Sequence, residues 1–208
     1  DLVYATVNPR EVRWVKNLGG GNFDDNSFNV IASLSGNILS FRLADLENDG
    51  DIDVITQYEN SFNNARSTMS INDGTGSFST TNDFPLSSGD NFNAGYTLGD
   101  FNDDGYIDLA YVQMPGGNNI SILWNDANNN FGTSSIIRNY TFGSGRSPLS
   151  IEKFDFDGDG DLDILVGDRL GISSGEGVIL INGGNQNFSE HPETLSGIEW
   201  ANTFSDIQ

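Results

Sequence analysis

The chain has 208 residues, a length that suits one domain, and it carries 30 acidic and 9 basic side chains, for a net charge of −21. This charge argues against nucleic acid or an anionic membrane as a partner, because both select Lys and Arg. The sequence has no Cys, one His and no long apolar stretch, which predicts no disulfides, no multi-histidine zinc site and no membrane insertion.

Short apolar runs that follow an Asp recur along the chain, beginning at its first residue. Asp1 precedes the run 2–4, and similar runs follow Asp53, Asp108 and Asp163. Each run is short and contains β-branched or other large apolar residues, which predicts a β-strand. Four copies of one arrangement indicate a repeat protein.

Nine-residue acidic segments precede the last three of these runs. They begin at Asp45, Asp100 and Asp155, 55 residues apart each time, and each has Gly at its sixth position. Oxygen-bearing side chains occupy the first, third, fifth and ninth positions. They are Asp45, Glu47, Asp49 and Asp53 in the first segment, Asp100, Asn102, Asp104 and Asp108 in the second, and Asp155, Asp157, Asp159 and Asp163 in the third.

The spacing of these side chains predicts three calcium sites. Ca²⁺ takes six to eight oxygen ligands, and alternate residues of a tight loop can direct their carboxylates inward. The seventh position is Asp51, Tyr106 or Asp161, and because Tyr is tolerated there, we expect this position to contribute its backbone carbonyl. An EF-hand does not fit, since its twelfth position needs a carboxylate. Acidic solvated turns are the alternative interpretation.

Glycine-rich turns form the second half of each repeat. An Asn is followed six residues later by a Phe in four places, with Gly-rich or Asn-rich residues between them, which predicts a hairpin. The pairs are Asn17 and Phe23, Asn72 and Phe78, Asn125 and Phe131, and Asn182 and Phe188. Each repeat therefore has four strands, and we expect one domain, 1–208, with units of about 1–52, 53–107, 108–162 and 163–208. Asp206 would start a fourth loop.

The D-x-[DEN]-x-D-G-x-x-D loops and the Asn-to-Phe hairpins together resemble FG-GAP and VCBS repeats, the blades of calcium-binding β-propellers such as the integrin α-subunit head. The resemblance implies that the loop carboxylates bind Ca²⁺, although Glu47 departs from the usual Asp or Asn. We therefore expect an all-β fold, a β-propeller of four-stranded antiparallel blades. Four repeats could close a small ring, form an open stack or, as we favour, belong to a larger propeller with flanking repeats.

Other polar and aromatic residues give little sign of catalysis. His191 is a lone histidine, and Glu152 falls at a variable repeat position. Trp14 aligns with apolar residues of the other repeats, and Trp124 aligns with Lys16, Ile71 and Ile181, so we expect both, and Trp200 likewise, in the packing between blades. Asn119, Asn139 and Asn187 begin N-x-[ST] sequons. We expect no enzyme activity within this chain.

Variable loops opposite the calcium loops are the expected binding face. They are 59–66, 114–119 and 169–177, with links 87–93 and 143–148. We expect a protein or glycan ligand there, with solvated turns as the alternative. Weak calcium affinity is typical of extracellular modules, so we expect a secreted or cell-surface module for adhesion or recognition. An accessory part of a secreted polysaccharide-acting enzyme and a structural unit of a surface layer or filament are the alternatives.

Overall fold

The computed structural model describes residues 1–24, 26–61, 64–82, 95–112, 119–126, 128–129, 131, 133–139, 147–169, 176–192 and 195–196. Every regular element in this part of the chain is a β-strand, which confirms the all-β prediction. The described residues accordingly contain no helix of the length and apolar character needed to cross a membrane. The chain divides into two compact units, 1–89 and 90–208, which are described separately.

Unit 1 contains two antiparallel sheets and a small hairpin. Its strands are β1 (Leu2–Thr6), β2 (Glu11–Val15), β3 (Asn17–Gly19), β4 (Asn22–Phe23), β5 (Asn29–Ser33), β6 (Asn37–Ala44), β7 (Asp53–Ser61), β8 (Asn64–Asn72) and β9 (Phe78–Asn82). The first sheet has the order β1-β2-β5, with β3 and β4 forming a separate hairpin, and the second is the four-stranded sheet β6-β7-β8-β9. The separation of the first glycine hairpin from its sheet was not predicted from the sequence.

Unit 2 contains two further antiparallel sheets. Its strands are β10 (Tyr96–Gly99), β11 (Asp108–Val112), β12 (Asn119–Trp124), β13 (Thr133–Asn139), β14 (Ser147–Phe154), β15 (Asp163–Arg169), β16 (Glu176–Asn182), β17 (Phe188–Glu190) and β18 (Leu195–Ser196). The third sheet has the order β10-β11-β12-β13, and the fourth has the order β14-β15-β16-β17, with β18 also pairing with β16. Four-stranded antiparallel sheets are thereby confirmed, whereas a closed propeller stays a prediction.

Strand pairing in all four sheets follows one register. The second residue after the repeat Asp pairs with an apolar residue of the next strand in every sheet. The pairs are Val3 with Trp14, Ile55 with Met69, Ala110 with Ile122, and Leu165 with Ile179. The predicted Asn and Phe also pair across the hairpin in three copies, Asn17 with Phe23, Asn72 with Phe78, and Asn182 with Phe188. The repeat alignment drawn from the sequence is therefore confirmed.

The hydrophobic core of each unit lies on alternate strand residues, as expected for strands whose side chains alternate between two faces. In unit 1, Trp14 packs against a core that includes Val12, Ile31 and Val54. In unit 2, Trp124 is itself a buried core residue. Both tryptophans therefore serve packing, as the alignment predicted, whereas Trp200 lies outside the described residues.

Phe101 and Phe156 occupy the second position of the second and third loops, and they provide a matched pair for measuring core packing. The Phe101 side chain is 1% exposed, whereas that of Phe156 is 42% exposed. We expect F101A to lower the free energy of unfolding by about 3–5 kcal/mol. F156A should cost about 1 kcal/mol or less. Urea denaturation of both variants checks this, and equal losses would show that Phe101 is not a core residue.

Candidate metal-binding loops

The three acidic segments connect the first two strands of the four-stranded sheets. In each case the last residue of the first strand pairs with the first residue of the second strand. These pairs are Ala44 with Asp53, Gly99 with Asp108, and Phe154 with Asp163. The strands predicted after each loop begin at its ninth residue, as expected. The loops are therefore hairpin connections on a rigid sheet, not parts of a helix–loop–helix unit.

Two positions of each loop adopt left-handed backbone conformations. The Gly at position six has φ of 94° in Gly50, 89° in Gly105 and 98° in Gly160, a conformation that Gly adopts without a steric cost. Position four is also left-handed, with φ of 56°, 59° and 79° at Asn48, Asp103 and Gly158 respectively. The conformation of position four was not predicted from the sequence, although Asn, Asp and Gly are the residue types that tolerate it.

Loop side chains hold the backbone in this shape. The position-one Asp accepts the N–H of the position-six Gly through Oδ2, at 2.9 Å in the first loop, 2.8 Å in the second and 3.2 Å in the third. The position-five Asp accepts the N–H of position seven through Oδ1, at 3.0, 2.9 and 2.9 Å. The carboxylates at positions one and five are thus directed inward by local hydrogen bonds.

The third loop brings three acidic side chains together. Each of Asp155, Asp157 and Asp159 offers one carboxylate oxygen that lies within 4.8 Å of the other two. Among the described residues, this is the one group of three Asp, Glu, His or Cys side chains so close together. All three residues are exposed, so a cation could reach them from solvent.

The other two loops share the backbone but differ in their side chains. The first loop has the longer Glu47 at position three, and its acidic side chains do not form such a group. In the second loop, Asn102 Nδ2 donates to Asp104 Oδ2 at 3.0 Å. The third loop is therefore the one whose acidic side chains form such a group among the described residues.

The position-seven side chains lie against the glycine hairpin of the same sheet. A Cβ added to Gly74 would lie 2.5 Å from Asp51 Oδ2, and one added to Gly184 would lie 3.2 Å from Asp161 Oδ2. The two carboxylates therefore pack over these glycines and are not part of the third-loop group. Metal binding through the position-seven carbonyl, including that of Tyr106, stays a prediction.

The position-nine Asp clamps each loop to the following hairpin. Its Oδ2 accepts the N–H of the position-two residue, at 2.8 Å for Asp53, 3.0 Å for Asp108 and 2.6 Å for Asp163. Its Oδ1 accepts the N–H of the repeat Asn, at 2.8 Å in all three copies. Asp1 makes the corresponding bond to Asn17 at 2.9 Å. The sequence pattern predicts these residues as metal ligands and gives no sign of their role as clamps.

Burial makes ionisation of these clamp carboxylates costly. It raises the pKa of Asp53 to about 6 and that of Asp108 to about 7, while hydrogen bonds from backbone N–H groups act in the opposite direction. Burial also raises the pKa of Asp163. Neighbouring loop carboxylates add to the increase in each case. A nearby cation would favour the ionised form of all three.

The remaining predicted residues lie outside this cluster. Glu152 pairs with Leu165 within the fourth sheet. The His191 ring packs edge-on against Phe156, with 5.1 Å between ring centroids, and its backbone N–H donates to the carbonyl of Ile179. The sequon residues Asn119 and Asn139 are backbone partners on the adjacent strands β12 and β13. Most of the loops predicted to form the binding face lie outside the described residues.

Known proteins show the same repeat in part of the chain. A family model described as FG-GAP-like repeat matches residues 100–166, from the start of the second loop to the strand that follows the third. This chain contains an FG-GAP-like repeat. The matched stretch includes the whole second and third loops, so the two loops described above are features of that repeat.

A solved structure and the curated proteins complete the comparison. The crystal structure of AofleA from Arthrobotrys oligospora is similar at 13% sequence identity and a TM-score of 0.48. The alignment covers 93% of this chain and 54% of that one, so the present chain spans about half the length of AofleA. A similarity of this degree assigns no function. No curated protein matches the chain significantly.

Replacing a clamp carboxylate tests its structural role. In D108N one carboxylate oxygen becomes an amide N–H₂, which leaves a buried backbone N–H of Phe101 or Asn125 without an acceptor. In EGTA, we expect D108N to lower the free energy of unfolding by about 2 kcal/mol. D1N is the matched control, because Asp1 is exposed and makes one such bond, and it should cost about 0.5 kcal/mol or less. Equal values from urea denaturation would contradict the clamp.

Proposed function

We propose that this chain is a non-catalytic, calcium-stabilised repeat module that acts in recognition or adhesion outside the cell. The observation that carries the proposal is the group formed by Asp155, Asp157 and Asp159, on a loop whose shape recurs twice. The metal has a structural role in this proposal. It holds together an acidic hairpin that would otherwise crowd like charges.

The donor set suits Ca²⁺ better than other common metals. Ca²⁺ binds oxygen at about 2.3–2.6 Å, so ligands on opposite sides of the ion lie up to roughly 5 Å apart. The three carboxylate oxygens of the third loop lie within 4.8 Å of one another, which is compatible with this distance. Zn²⁺ favours His and Cys, which these loops lack, and Mg²⁺ requires a tighter octahedron at about 2.0–2.1 Å. The residues therefore fit Ca²⁺ as oxygen donors.

In this proposal the four-stranded sheets are blades of a calcium-binding β-propeller, to which flanking repeats could contribute further blades. Supporting features are the FG-GAP-like repeat at 100–166 and the common register of all four sheets. Each blade is a meander in which a calcium hairpin and a glycine hairpin lie at the same end. The binding face for a protein or glycan is then the opposite end, where loops can vary without disturbing the metal sites.

The chemistry of such sites supports the proposed extracellular setting. Extracellular calcium modules commonly have dissociation constants of about 10⁻⁴ to 10⁻³ M. Exposed ligands, with several backbone contacts and no enclosing helices, suit this weak range. A cation bound to each loop would also offset part of the net charge of −21, which otherwise opposes a compact state. The lack of Cys agrees with a metal as the cross-linking element.

Calcium titration of a ligand variant tests the proposal. We expect the protein to bind three Ca²⁺ ions and D159N to bind one fewer, because D159N removes a carboxylate from the third-loop group. D103N is the matched control: it removes one charge at position four of the second loop, which is exposed and is not a predicted ligand. Isothermal titration calorimetry measures both. An unchanged stoichiometry in D159N, or no calcium binding at millimolar concentration, would contradict the proposal.

A further inference from the structure

Two buried hydroxyl groups of the second sheet have no hydrogen-bond partner. They belong to Thr56 of β7 and Thr68 of β8, both of which are 0% exposed, and neither Oγ1 atom bonds to another group. The two residues are Cα partners in the register of β7 and β8. Directly opposed side chains of an antiparallel pair lie on the same face of the sheet, with Cβ atoms about 4.5–5.5 Å apart. The two side chains with unpartnered hydroxyls are therefore immediate neighbours.

The face that carries these two side chains points into the core of unit 1. Val54 lies two residues before Thr56, so their side chains share a face, and Val54 belongs to the core cluster that includes Ile31 of the first sheet. Neighbouring hydroxyls on this face are bonded, because Ser70 Oγ and Thr80 Oγ1 lie 2.9 Å apart and Thr80 Oγ1 donates to the carbonyl of Ile31 at 3.1 Å. The lack of a partner is thus specific to the threonine pair.

The fourth sheet shows that the same register also accepts an apolar pair. By repeat position, Thr56 corresponds to Val166 and Thr68 to Val178. Val166 and Val178 are Cα partners, are 2% and 4% exposed, and belong to the core of unit 2. Val has nearly the shape of Thr, with a methyl group in place of the hydroxyl. The fold therefore does not require hydroxyls at these positions, and burying them without partners would cost free energy.

A single water molecule would satisfy both hydroxyls. A water oxygen about 2.8 Å from each Oγ1 atom can bridge two atoms that lie up to roughly 5.6 Å apart, a range that suits the Cβ separation of an opposed pair. Buried waters typically bond to about three polar groups that would otherwise be unsatisfied. A water molecule and a Thr hydroxyl can each donate and accept hydrogen bonds. Because the two hydroxyls are neutral and lie in an apolar core, they select a small neutral ligand and not an ion.

We propose that one internal water molecule is bound between Thr56 and Thr68 and joins the two hydroxyls across β7 and β8. The water accepts a hydrogen bond from one Oγ1 atom and donates one to the other. Gln57 Nε2 is also buried without a partner, but the side chain of residue 57 lies on the opposite face of the sheet and outside this site. The water is a structural ligand of unit 1, and the inference does not depend on calcium binding.

A double-mutant cycle on the whole chain, measured by urea denaturation at constant calcium concentration, tests the water site. We expect T56V and T68V each to lower the equilibrium constant for folding about fivefold, because each leaves the water and the other hydroxyl short of a partner. The double variant T56V/T68V expels the water and restores the apolar pair seen in the fourth sheet, so it should fold as well as the wild type or better. T81V is the matched control, because Thr81 is exposed on β9 and its replacement should change the constant less than about twofold.

Two results would overturn the proposal. The first is additivity of the two replacements, since unpartnered hydroxyls that bind no water would make each single variant raise the folding constant independently. The second is a high-resolution crystal structure that has no density between Thr56 Oγ1 and Thr68 Oγ1, or that shows these atoms bonded directly to each other. Density at hydrogen-bond distance from both atoms, together with a non-additive cycle, would support the bound water.

Discussion

A buried aspartate joins each nine-residue loop to the hairpin that follows it, and the rest of the loop geometry depends on this contact. In three copies, one oxygen of the position-nine carboxylate accepts the N–H of position two and the other accepts that of the repeat Asn. The clamp fixes both ends of the loop, so that the short sequence between them must turn through two left-handed residues. Within that turn, local hydrogen bonds direct the carboxylates at positions one and five inward.

This arrangement has an electrostatic cost that a cation can offset. The clamp carboxylates are buried, and burial raises their pKa while the nearby loop carboxylates raise it further. The exposed carboxylates of the third loop lie within 4.8 Å of one another. A cation bound nearby would lower the electrostatic repulsion in both groups. The proposed structural role of Ca²⁺ would therefore reconcile so acidic a sequence with a compact sheet.

Much of the fold could be predicted from residue spacing alone, because a strict repeat leaves few alternatives. The strands after Asp53, Asp108 and Asp163 and the hairpins at Asn72 and Asn182 lie where the pattern predicts them. Spacing could not reveal what each carboxylate contacts, so the clamp role was missed. Nor could it distinguish buried Phe101 from exposed Phe156, since burial depends on the neighbouring sheet and not on the position in the repeat.

Thermal unfolding with and without calcium tests the central claim most directly. If free Ca²⁺ is present at ten times the dissociation constant of each of three sites, binding adds about 1.4 kcal/mol per site to the free energy of unfolding. For a chain of this size, the three sites together should raise the midpoint temperature by roughly 10 °C over that in EGTA. Mg²⁺ at the same concentration should have a much smaller effect. A midpoint that is the same in EGTA and in millimolar Ca²⁺ would contradict the account.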